Sequence, residues 1–307
     1  MGWDEVMLNY EKLSKKSKMF RRFTGLTTEE FDDLYAEIES KYSEYENKRL
    51  GGEERKRAIG AGRKFKLDLI DRLLMLLVYY RLYVTFCLTG FLFDLDQSNV
   101  HRDIKYLEPL VKACIPLPEK LYKKTKRIGK IDELLEFFPE MKCFIDATEQ
   151  EIPRPKNKRR RKNYYSGKKK RHTVKTQIMV NKKGIILHKT KHRNGKQHDY
   201  DMFKKTGPPN IPPDVEVGVD RGYQGIKKDF PQMNVKIPVK KKKGEELSKK
   251  DKRYNKKLSK ERVIVEHTIG KMKKFGIMGN TFRNRLKNYD TKVSIVSGLV
   301  NFSLTHR

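Results

Sequence analysis

The periodicity of the apolar residues changes at Pro139, and the change divides the chain into a helical part and an α/β part. Upstream, apolar side chains recur at helical spacing. Phe31, Leu34, Tyr35 and Ile38 follow Thr27 and Glu30, a pair spaced as a capping box, and predict a helix over 26–46. Leu67, Ile70, Leu73, Leu74, Leu77 and Val78 form a broad apolar face that predicts another over 67–80. Between them, Gly51, Gly52, Gly60 and Gly62 stand among basic residues, as in a flexible loop over 47–64.

Two shorter helices follow, one over about 85–93 and one opening near Ser98. The polar turn Asp94-Leu95-Asp96 joins them, which fits a helix-turn-helix within about 67–114. Asp96 or Ser98 caps the second helix, whose first turns then offer Gln97, Asn99, His101 and Arg102 to DNA. An ordinary helical hairpin fits the same pattern. Pro116 and Pro118 end this region, and 117–138 is expected as a helical connector.

Downstream of Pro139 the apolar residues come in short runs. Lys142–Ile145 leads into Asp146, and Val215–Val219 leads into Asp220. His172–Val180 and Ile185–Thr190 flank Asn181-Lys182-Lys183-Gly184, a hairpin with a glycine-containing turn. A lysine-rich loop over 240–252 precedes a helix over about 256–275, and an apolar stretch over 293–304 predicts a closing helix. The expected organisation is therefore 1–140, helical, and 141–307, an α/β domain with a mixed sheet.

The charge is divided in the same way. Residues 1–140 carry 26 Lys and Arg against 24 Asp and Glu, whereas residues 141–307 carry 45 against 15. Within the second part, 152–198 hold 18 basic side chains and no acid. Such a field attracts a polyanion through phosphate contact and counterion release. Arg159, Arg160 and Arg161, then Lys168, Lys169 and Lys170, are the candidate phosphate contacts. Tyr164 and Tyr165 lie between the two clusters and suit either base stacking or a core position.

Cys87, Cys114 and Cys143 are far apart and form neither a disulfide framework nor a zinc ribbon. The first ten residues lack a signal-peptide pattern, and charged residues break the most apolar stretch, 67–93. A soluble intracellular protein without a membrane partner is expected. His172, His188, His192 and His198 have no cysteine partners, and zinc is not expected there.

In so basic a domain the acids are scarce, which draws attention to the two strand-end aspartates. Open sheets place their active sites at such ends. Glu266 is the third candidate, on a helix that sets Arg262, Glu266 and Lys273 on one face and leaves Val263, Ile264 and Met272 to pack. Three carboxylates suffice to gather two Mg²⁺ ions for phosphodiester cleavage. Helix caps and an Arg262–Glu266 ion pair account equally well for the same residues. Asp199 is expected as a helix cap.

Five pieces stand in order along the chain: Asp146-Ala-Thr-Glu-Gln-Glu-Ile; Tyr165-Ser-Gly-Lys-Lys-Lys-Arg-His-Thr-Val-Lys-Thr-Gln; Gly195-Lys-Gln-His-Asp199; Val219-Asp-Arg-Gly-Tyr-Gln-Gly225; and Arg262 with Glu266 and Lys273. The series resembles the DDE transposases of the insertion-sequence-five family, related to the Harbinger group, over roughly 140–275. The resemblance implies an RNase H-like α/β catalytic domain preceded by a helix-turn-helix region. It implies Asp146, Asp220 and Glu266 as ligands of two Mg²⁺ or Mn²⁺ ions, with Arg262 and Lys273 in the arginine and lysine places of the family signature. Ser259 stands where that signature has tyrosine. The implied activity is binding of terminal inverted repeats, cleavage of the element ends and joining of the 3′-OH to target double-stranded DNA. The implied setting is the nucleoid of a prokaryotic cytoplasm, with a homodimer or larger assembly on DNA. Two other readings are a catalytically silent DNA-binding descendant and an RNase H-like nuclease acting on RNA hybrids or branched DNA.

Overall fold

The computed structural model describes residues 7–51, 64–207, 209–241 and 244–306. Most of the loop expected over 47–64, and Lys242 and Lys243 of the lysine-rich loop, lie outside these residues. Two compact units emerge. The first comprises Met1–Ile115 with Lys274–Ile277 and Thr305–Arg307, and the second Pro116–Lys273 with Met278–Leu304.

The first unit is helical: α1 (Tyr10–Ser14), α2 (Ser17–Thr24), α3 (Thr28–Leu50), α4 (Leu69–Leu82), α5 (Phe86–Phe93) and α6 (Gln97–Cys114). The expected capping box opens α3: Thr27 Oγ1 accepts from the Glu30 amide at 3.2 Å, and the Glu30 carboxylate accepts from the Thr27 amide at 3.0 Å. Helix α4 is buried all round from Arg72 to Tyr80 rather than on one face, so it is the unit's central helix. Its one charge there is matched, since Arg72 Nε donates to Asp103 Oδ1 of α6 at 3.0 Å. Lys274–Ile277 joins this unit through Phe275, whose ring lies under the Arg81 guanidinium, 5.2 Å from centroid to Cζ.

The turn between α5 and α6 needs two special backbone positions. A Cβ on Gly90 would stand 2.2 Å from the Leu95 carbonyl oxygen, so only glycine lets the chain fold back this closely. Asp94 then takes a left-handed conformation (φ 49°), and Asp96 caps α6 by accepting from the Ser98 amide at 2.8 Å.

The second unit opens with α7 (Pro118–Thr125) and α8 (Ile131–Phe137), followed by β1 (Lys142–Glu151), α9 (Lys158–Tyr164), β2 (Tyr165–Ser166), β3 (Arg171–Asn181), β4 (Ile186–Lys189) and β5 (Arg193–Asn194). It continues with α10 (Asp199–Thr206), β6 (Glu216–Gly218), α11 (Ile226–Asp229), β7 (Val235–Lys236), α12 (Lys249–Lys273) and, but for its last residue, α14 (Tyr289–Thr305), while α13 (Gly276–Gly279) is divided between the two units. The sheet is mixed, in the order β2-β3-β1-β6-β7, with β4 and β5 also paired to β3. Strand β1 runs antiparallel to β3 and parallel to β6, which is parallel to β7.

Alternation along β1 divides its side chains. Cys143 and Ile145 join a buried cluster with Phe203, Val217, Val219 and Tyr223, while Phe144 and Asp146 point to the other face, on which α12 packs. The segment 116–138, expected with the first part, packs here instead. Phe138 is fully buried in that cluster, and Asn181 Nδ2 donates to the Phe137 carbonyl at 2.9 Å. Asn301 of α14 serves as a substitute strand partner for β4, accepting from the Ile186 amide at 2.7 Å and donating to its carbonyl at 3.0 Å.

Candidate active site

The parallel register of β1 and β6 brings the two aspartates together. Lys142, Cys143 and Phe144 pair with Glu216, Val217 and Gly218. Two residues further on, Asp146 and Asp220 therefore stand at the same level, just past the point where β6 ends. Asp146 itself is not at a strand end, as the sequence suggested, because β1 continues to Glu151 along its antiparallel partner β3. Only the β6 side of the sheet stops there, and the opening this leaves is the site. Gly218 is part of the design: a Cβ there would stand 2.6 Å from the Phe144 ring, so a side chain would displace the ring, which lies on the face that α12 covers, while Arg262 Cγ at 3.7 Å would be in ordinary contact.

Helix α12 supplies the remaining groups. Leu258, Val265, Thr268 and Met272 are its buried residues alongside Arg262. The packing residue is thus Val265, with Val263 and Ile264 only partly covered. Arg262 Nη2 donates to Asp146 Oδ2 and Nη1 to Asp220 Oδ1, each at 3.3 Å. Of the two readings of Arg262, the ion pair with Glu266 is not formed: the guanidinium bridges two other acids, while Glu266 is exposed on the next turn. Arg262 Nε is buried with no hydrogen-bond partner.

Asp146, Asp220, Glu266, Arg262 and Lys273 line one polar cleft of about 290 Å³. Glu149, Asp199, Lys168 and Lys169 line it too. Burial pushes the Asp146 carboxyl above the ordinary carboxylate range, opposed by the Ala147 amide and Arg262. Burial also lowers the Lys273 ammonium, helped by Lys169 and opposed by Glu149. The three carboxylates come from three separate elements and offer the hard oxygen donors that Mg²⁺ prefers. Among the described residues no three such side chains close on a single point, and the Arg262 guanidinium bridges two of them.

Residues not singled out as catalytic stand behind this cleft, tied to its lining residues Glu149 and Asp199. Lys175, nine-tenths buried, bonds Glu149 at 3.2 Å, Asp199 at 3.0 Å and the Gln197 carbonyl at 2.8 Å. Asp199 therefore holds a lysine and caps nothing; it is the first residue of α10, whose preceding residue His198 makes no side-chain cap. Gln177 Nε2 donates to the buried Tyr223 hydroxyl at 2.6 Å. Lys175, Gln177, Asp199 and Tyr223 all belong to the ordered sequence pieces, the one signal that could have found them.

The basic candidates separate. Arg159 and Arg160 are exposed on α9, but Arg161 donates to the Pro155 and Lys156 carbonyls at 3.3 and 3.0 Å and so closes its own loop. Lys168, Lys169 and Lys170 form an exposed turn. On α6, Gln97, Asn99, His101 and Arg102 are all exposed within the first two turns.

The profile of the DDE superfamily endonucleases matches residues 145–301, and that of their helix-turn-helix matches residues 65–117. The first match spans just over half of the chain, and the protein belongs to the DDE superfamily endonucleases. It is also similar to a probable transposase for insertion sequence element IS702 from Microchaete diplosiphon, at 29% identity over 288 residues, 94% of this chain and 95% of the relative. No solved structure matches it. The expected DDE-type enzyme with a DNA-binding helix-turn-helix is borne out, and no helix among the described residues is long and apolar enough to cross a membrane.

Proposed function

We propose that the protein is a DNA transposase that binds the terminal inverted repeats of its element, cleaves the element ends and joins the 3′-OH to target DNA. The observation that carries this is that Asp146, Asp220 and Glu266 line one cleft in the basic part of the chain. Three antiparallel strands, β1, β3 and β4, continue into two parallel ones, β6 and β7, which supports an RNase H-like sheet. In this reading Asp146, Asp220 and Glu266 hold divalent ions, Mg²⁺ or Mn²⁺. Bound there, the ions supply Lewis acidity at the attacking and leaving oxygens of a phosphodiester.

The chain's own residues do the rest. Arg262 and Lys273 hold and neutralise the phosphate between them. Lys168, Lys169 and the exposed arginines of α9 track the backbone towards the cleft. The exposed start of α6 reads the repeat, with Gln97, Asn99, His101 and Arg102 at base edges. Cleavage and joining are both in-line phosphoryl displacements, so one cleft serves both. Two ends have to be held together, which requires a dimer or larger assembly on DNA. The test is Mg²⁺-dependent nicking of duplex DNA ending in the inverted repeats that flank the gene. Repeat-specific binding without nicking would leave a silent DNA-binding descendant, and nicking without end preference a general nuclease.

A further inference from the structure

Beside the carboxylate cleft lies a second and larger cavity of about 1070 Å³, which the reaction as described does not use. Seven Lys and Arg side chains line it against one carboxylate, Asp199, and that carboxylate is already bonded to Lys175 at 3.0 Å. Asp199 and Lys168 line both cavities, so the two adjoin. The floor is fixed by a close approach: a Cβ on Gly195 would stand 2.0 Å from Thr173 Oγ1 and 2.9 Å from the Tyr164 carbonyl oxygen.

One feature of the lining points to a ligand with a ring. Tyr165 is 42% exposed, unusual for a large aromatic, and its ring meets His172 edge-to-face at 5.6 Å.

We propose that this cavity receives one unstacked nucleotide of the DNA strand held at the adjoining carboxylates, its base against Tyr165 and its phosphates among the lysines and arginines. The proposal rests on the transposase reading. The volume suits a nucleotide, and a base of a duplex enters it only by leaving the helix. Stacking on an aromatic ring and the surrounding cations offset the loss of the base stack.

The test uses the full-length protein and terminal-repeat duplexes carrying 5-iodouracil at successive positions around the cleavage site. Long-wavelength irradiation should crosslink the peptide holding Tyr165 and His172 from one or two adjacent positions. Permanganate reactivity of thymine at those positions should rise on binding. Tyr165→Ala should reduce the crosslink at least fivefold while changing repeat affinity less than threefold, and Tyr165→Phe should retain it. Repeat binding and nicking with no crosslink to this peptide, or equal crosslinking from every position, would overturn the proposal and leave the transposase reading intact. Absence of any repeat binding or nicking would instead sink the reading on which it rests. Thermal stabilisation by free deoxyadenylate or inorganic phosphate, without a position-specific crosslink, would make this a small-molecule site and also overturn the proposal.

Discussion

Arg262 Nη2 lies 3.3 Å from Asp146 Oδ2, and its other terminal nitrogen reaches Asp220 at the same distance. The guanidinium is thus the resident cation between two carboxylates that the sheet register forces together. Removing it leaves them facing each other uncompensated, one of them largely buried. Arg262→Met should cost about 2–4 kcal/mol in metal-free buffer, toward the lower end because Asp220 is half exposed. Added Mg²⁺ should then raise the melting temperature of the variant more than that of the wild type. An identical metal response in both proteins would mean that the guanidinium and the ion do not compete for the same carboxylates.

Asp146→Asn and Glu266→Gln should each abolish nicking of terminal-repeat DNA while leaving repeat affinity within about threefold, because both sit in the cleft and neither lies on α6. Gel-shift and nicking assays on the same preparations measure the two quantities separately. A variant with full activity would remove that residue from the ligand set.

Gly218→Ala places a methyl group 2.6 Å from the Phe144 ring. The ring has to move toward the face that α12 covers, at a cost of about 1–3 kcal/mol. Because α12 carries Arg262 and Glu266, nicking should fall more than stability does. Urea denaturation beside the nicking assay checks this, and a variant as stable and active as wild type would contradict the packing account.

Arg102 and Asp103 are neighbours with opposite surroundings, the first exposed and the second buried against Arg72 at 2.9 Å. Arg102→Ala should weaken repeat binding and leave the melting temperature within a degree or two. Asp103→Ala should cost about 3–5 kcal/mol, since it strands a guanidinium that is 1% exposed. Equal effects of the two on stability would refute this division of labour.

Burial lowers the Lys292 ammonium of α14 from its usual value near 10.5 to about 7. Between those values the unfolded chain holds a proton that the native chain has lost. Stability therefore rises with pH from about 7 to 10.5, and the full cost of burying the charge is felt below pH 7. Each unit of the shift is worth about 1.4 kcal/mol. Lys292→Met should flatten this slope, measured as denaturation midpoints at about pH 6.5 and 9.5; an unchanged slope would assign the pH dependence to other groups.

Much of this protein is determined by sequence alone, wherever a signal is local. The capping box at Thr27 and Glu30, the Asp96 cap, the hairpin turn at Gly184 and the split between a helical and an α/β part all depend on residues within a turn or two of one another. The charge division is likewise a matter of counting. Glu266 is a candidate from its helix face but depends more on the ordered motif, and Lys175, Gln177 and Tyr223 lie unassigned within that motif. Asp146 looked like a strand end because its run of apolar residues stops there. Yet β1 continues as Ala147-Thr148-Glu149-Gln150-Glu151 along β3, where pairing rather than hydropathy sustains the strand. What tertiary structure alone decided is the meeting of Asp146, Asp220 and Arg262, which are 42 to 116 residues apart in sequence. A parallel register and a glycine that leaves room for the Phe144 ring on the face covered by α12 bring them together, and neither the choice of strand partner nor the approach of a distant helix is encoded in any local pattern of residues.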